Sequence, residues 1–103
     1  MKDNVPSLAI DPERVAQFCR QRGIRRLSLF GSAVRDDFDP ARSDVDVLVE
    51  FLPGRTPGIA FIGYQYDLEE MLRHKVDLHT PDCLHRLFRN EVLREAVTVY
   101  EQT

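Results

Sequence analysis

The sequence predicts an α+β fold, a small β-sheet of about four strands packed with helices. Two observations predict it: the apolar repeat switches between helical and alternating periods along the chain, and glycine and proline fall at the switches. A third bounds its size. With 103 residues and 43% hydrophobic content, a chain of this length buries roughly two thirds of its unfolded surface around one core, so residues 1–103 are expected to form a single domain.

Asp11 as N-cap and Pro12 at the first helical position open a helix over 11–22, with Val15, Phe18 and Cys19 at helical spacing and Gly23 as its stop. The period then becomes two, Leu27 and Leu29 alternating with Arg26 and Ser28, which predicts a strand over 25–30 ending at Gly31. Residues 33–43 are polar and acidic and read as a short helical turn followed by a surface loop. A second strand is expected over 45–50, with Val45, Val47 and Val49 on one face and Asp44, Asp46 and Leu48 on the other. After Pro53, Gly54, Pro57 and Gly58, the spacing of Phe61, Gln65, Leu68 and Leu72 predicts a second long helix through about Arg73. Lys75 to His79 reads as a third strand closed by Thr80-Pro81. The remainder suggests a short helix, another near Asn90–Ala96, and an edge strand at Val97–Tyr100.

A formal charge of −3 and a pI near 5.5 give no overall positive field to gather a polyanion, so direct nucleic-acid binding is disfavoured. The cluster Arg20, Arg22, Arg25 and Arg26 reads as a solvated face or, more sharply, as a partner surface. Cys19 and Cys83 lie far apart without metal-ligand spacing, which suits free thiols in a reducing cytoplasm. Neither a signal-like start nor a run long enough to span a bilayer is present, so no membrane role is expected.

The chemistry is carried by Phe30-Gly31-Ser32, then Asp44-Val45-Asp46, then Asp77 about thirty residues on. A strand that ends in Gly-Ser and turns into a helix offers backbone N–H groups and a hydroxyl to a phosphate tail. Two carboxylates two residues apart on a strand share a face at roughly 5–7 Å, and a third from a neighbouring strand completes a cup of oxygen ligands suited to Mg²⁺. Without a cation three such charges would repel by several kcal/mol. The bland alternative, a simple turn and a solvated strand edge, has to account for aspartate, depleted in strands, at each of these positions. His74, His79 and His85 show no zinc-ligand spacing; His79, two residues after Asp77 and on the same strand face, is the one histidine to test. Phe61, Tyr64 and Tyr66 on the second helix read as core before they read as a base-stacking platform.

These residues resemble the polymerase-beta-type nucleotidyltransferase superfamily, and in particular the minimal nucleotidyltransferases paired with helical HEPN toxins; the likeness covers nearly the whole chain. It implies a small mixed β-sheet of the polymerase-beta-like fold, Gly31 and Ser32 supporting a triphosphate, and Asp44, Asp46 and Asp77 as catalytic metal ligands for two Mg²⁺ ions, with ATP as nucleotide donor. Where the family often reads Ala-Arg-Gly this chain has Val34-Arg35-Asp36; Arg35 is kept, as a phosphate or partner contact or as a local ion pair, and the glycine is lost. The resemblance further implies an antitoxin that moves AMP from ATP to a tyrosine of its HEPN ribonuclease toxin. The alternatives are an antitoxin acting by contact alone and a small-molecule nucleotidyltransferase, the latter weakened by the lack of an added helical domain. An open site in so small a domain calls for a helical partner, or a second copy of the chain, to wall it, with the acidic loop 36–43 as the expected interface.

Overall fold

The computed structural model describes residues 10–34, 44–84 and 86–102, and only the backbone of Ser32, Ala33 and Cys83. In chain order the described elements are α1 (Pro12–Arg22), β1 (Ile24–Phe30), β2 (Val45–Phe51), α2 (Ala60–Leu72), β3 (Val76–His79), α3 (Arg86–Glu95) and β4 (Val97–Glu101), with 3-10 turns at Gly31–Val34 and Pro81–Cys83. Helix α1 begins as its sequence dictates. The Asp11 carboxylate accepts the Glu13 N–H at 3.0 Å, and Gly23, at φ 70°, donates its own N–H to the Cys19 carbonyl.

The strands form one sheet in the order β3-β2-β1-β4. β1 is antiparallel to both β2 and β4, whereas β2 runs parallel to β3 with α2 as the crossover, so the sheet is mixed. The expected edge strand is β4, laid against β1. The region before it differs from expectation: a 3-10 turn and one ten-residue helix replace a short helix and a second one starting near Asn90. Asn90 lies exposed inside α3, where its modest helix propensity costs little, and so does not mark a start.

Both faces of the sheet are covered. On one, Val15, Phe18 and Cys19 of α1 and Leu68 and Leu72 of α2 pack on Leu27, Leu29, Val45, Val47, Val49, Val76 and Leu78. A register shift between Ile24 and Arg26 lets Ile24 join Leu27 on that face although they are three residues apart. On the other face Phe30, Leu48 and Leu84 form a smaller cluster against Val92 and Ala96. The basic cluster is largely used internally: Arg22 bonds Asp67 at 2.9 Å and lies 4.1 Å from the Phe18 ring centroid, Arg25 bonds Glu50 at 2.7 Å, and Arg26 bonds Glu101 at 2.9 Å. Of the helical aromatics, Phe61 and Tyr64 pack against the core, whereas Tyr66 is exposed. Among the described residues, no helix is long and apolar enough to cross a membrane.

Candidate functional site

The central strand β2 carries Asp46 between two neighbours. Phe30 of β1 stands opposite it on one side and Asp77 of β3 on the other. Because β2 and β3 are parallel and paired in step, the two aspartates share a level and a face, with Leu48 and His79 the next pair on that face. Two bonds fix the start of these strands, one between them and one from β3 to α2. The Val45 N–H donates to the Lys75 carbonyl at 2.8 Å, and the Val76 N–H donates to Glu69 Oε2 of α2 at 3.0 Å.

One ligand atom each from Asp46, Asp77 and His79 lies within 4.8 Å of the others. The Asp46 Oδ1 to His79 Nε2 separation is 3.9 Å, and the imidazole packs edge-on to Phe30 with ring centroids 5.4 Å apart. An octahedral cation at about 2.1 Å from its ligands spans roughly 3.0 Å between adjacent donors and roughly 4.2 Å between opposite ones. The three side chains therefore fit a divalent ion after at most a small rotation. Asp44, just before β2 and exposed, is outside this group of three. It stands two residues before Asp46, the spacing that places residues of an extended chain on one face.

Gly31 closes the other flank. It adopts φ 67°, and a Cβ there would run into Asp46 Oδ2. The glycine expected to admit a phosphate thus has a second reason to be glycine: it leaves room for the carboxylate. The Ser32 side chain, Arg35 and the loop 36–43 lie outside the described residues. A separate cleft at the far end of β2, lined by Glu50, Phe51, Thr56 and Thr80 to Asp82, contains none of the three aspartates.

His79 is the residue that sequence reasoning left out of the site. Its signal was the two-residue spacing from Asp77, which fixes a shared face but gives no distance to Asp46 on the neighbouring strand.

Acidic side chains from adjacent strands are thus gathered beside a glycine turn at the end of a mixed sheet in a small α+β domain. The chain belongs to the nucleotidyltransferase domain family, which matches residues 12–99. It is a nucleotidyltransferase enzyme. It is 38% identical over 79 residues to "Putative protein adenylyltransferase MJ0435" of Methanocaldococcus jannaschii, covering 77% of this chain and 83% of that protein. A solved structure described as a "putative minimal nucleotidyltransferase" is 34% identical, covers 84% of this chain and 86% of its own, and has a TM-score of 0.63. The fold is shared with a mutant MntA–HepT toxin–antitoxin at TM-score 0.70 and 16% identity, over 91% of this chain and 75% of that one. Two further structures at 17% identity, a toxin–antitoxin with AMP-PNP and a tri-AMPylated Shewanella oneidensis HEPN toxin in complex with MNT antitoxin, give TM-scores of 0.67 and 0.62. The first covers 91% of this chain and 76% of that one, the second 88% and 70%.

Proposed function

We propose that this chain acts as one minimal nucleotidyltransferase domain, a divalent-metal-dependent protein adenylyltransferase. In this reading it transfers AMP from ATP to a tyrosine of a helical HEPN-type partner and silences that partner as its antitoxin. The observation that carries the reading is the level pairing of Asp46 with Asp77 beside Gly31. Asp44 joins them from two residues along β2, and Mg²⁺ is the default ion for such oxygen donors. Gly31, Ser32 and Arg35 are assigned to the triphosphate. The relatives named above, one an adenylyltransferase by name and others toxin–antitoxin complexes, support the choice of nucleotide and partner.

The chemistry is an in-line displacement. The tyrosine oxygen bonds to the α-phosphorus as its proton leaves to solvent or a nearby base, the bond from that phosphorus to the bridging oxygen of the β-phosphate breaks, and pyrophosphate departs. Asp44, Asp46 and Asp77 would hold the cation, which when bound would lower the charge barrier, and the partner would supply both acceptor and walls.

Incubation with α-labelled ATP, Mg²⁺ and the partner should label the partner, and Asp46→Asn or Asp77→Asn should lower labelling by at least about a hundredfold, the scale of losing a charge-stabilising group. Full toxin suppression by both variants with no label moved would replace catalysis with inhibition by contact.

A further inference from the structure

We propose that His79 is itself a metal ligand, so that the site it forms with Asp46 and Asp77 prefers Mn²⁺ to Mg²⁺. The inference rests on the metal-dependent reading above and narrows it.

His79 Nε2 and Asp46 Oδ1 are 3.9 Å apart, too far for a hydrogen bond but inside the span of two donors on one ion. The imidazole is held by two restraints. Its backbone pairs with Leu48 in the strand register, and its ring meets the edge of Phe30, the residue that leads into the Gly31 turn. The His79 side chain keeps 29% of its surface exposed and that of Asp46 keeps 27%, so an ion can reach both from solvent. All three ligand atoms converge within 4.8 Å. One nitrogen donor among carboxylates changes the ion such a site selects. Mg²⁺ takes oxygen almost exclusively, whereas Mn²⁺ accepts carboxylate readily and gains from imidazole as later divalent ions do.

The test titrates Mn²⁺ and Mg²⁺ into the intact chain with a non-hydrolysable ATP analogue. It compares wild type with His79→Asn, His79→Asp and Asp77→Asn, each checked for folding by circular dichroism. Pulsed electron paramagnetic resonance of bound Mn²⁺ should show imidazole nitrogen coupling in wild type, lost in both His79 variants. His79→Asn should weaken Mn²⁺ binding by roughly tenfold or more, the scale on which ligand-shell changes act, while Mg²⁺ affinity moves by less than about threefold. His79→Asp, which restores an oxygen donor, should narrow the preference by raising Mg²⁺ affinity. Should Mn²⁺ bind, be lost in Asp77→Asn, and yet show the same nitrogen coupling and affinity in the His79 variants as in wild type, His79 is not a ligand and the carboxylate site stands without it. Absence of binding, or binding indifferent to Asp77→Asn, overturns the carboxylate site and this proposal together.

Discussion

Gly31 concentrates two demands at one residue. Its φ of 67° lies where an L-residue costs about 1–2 kcal/mol, and its missing side chain is the space taken by Asp46 Oδ2. The two demands separate experimentally. Gly31→Ala should lower unfolding stability in urea by about 1–2 kcal/mol from the backbone alone. It should also displace the Asp46 carboxylate, so that Mn²⁺ affinity falls as well. Gly54 is the control, since its φ of 77° is equally left-handed but a Cβ there meets nothing within 4 Å. Gly54→Ala should give a similar loss of stability with metal binding intact. Equal metal affinity in the two variants would show that the Gly31 contact does not hold the carboxylate in place.

At the scale of elements, α2 links the core to the site through Glu69, whose carboxylate receives the first N–H of β3. The helix ends one turn later at Leu72, and Arg73 closes it in the left-handed region with φ 59° and donates its N–H to the Glu69 carbonyl. No glycine occupies that closing position, and Arg73 is exposed, so Arg73→Gly should relieve strain and raise stability by about 1 kcal/mol. A urea midpoint that falls instead would mean that the arginine side chain contributes more than its backbone costs. The elements leading to the site were legible because each repeats its own period: Val15, Phe18 and Cys19 for α1, Val45, Val47 and Val49 for β2. Periodicity could not say which strands pair. That Asp77 comes level with Asp46, that His79 follows on the same face, and that β4 joins β1 all depend on tertiary register. Helix α3 was blurred for a related reason. It buries no residue fully: of its apolar residues Val92 packs on the smaller cluster, while Leu87, Phe88 and Leu93 are exposed, so its pattern does not say which face meets the sheet.

Over the whole molecule, the larger core joins α1, β1, β2, α2 and β3 into one unit, in which Cys19 keeps no exposed surface. Burial pushes its thiol from 9.0 up to about 12, against the smaller opposing pull of Arg22 and Arg20. The folded chain therefore keeps this proton between pH 9 and 12, whereas the unfolded chain gives it up. With more protons bound in the folded state, the contribution to stability is complete below pH 9 and declines as pH rises toward 12, by at most roughly 1.4 kcal/mol per pH unit. Cys19→Ala removes the titrating group. Its absolute stability will drop from the lost packing, but the steepness of its alkaline decline should be smaller than that of the wild type by that amount. Guanidinium unfolding at successive pH values from 8 to 11 measures the difference directly, because every other group titrates in both proteins and cancels. The same burial makes Cys19 a reporter of global opening. Modification of this thiol by a maleimide should speed up in step with lost unfolding stability as destabilising variants are compared, since Cys19 is fully buried in a core that draws on five elements. Reaction at a rate independent of those variants would place the opening in a local fluctuation around α1 instead of in the cooperative loss of the core.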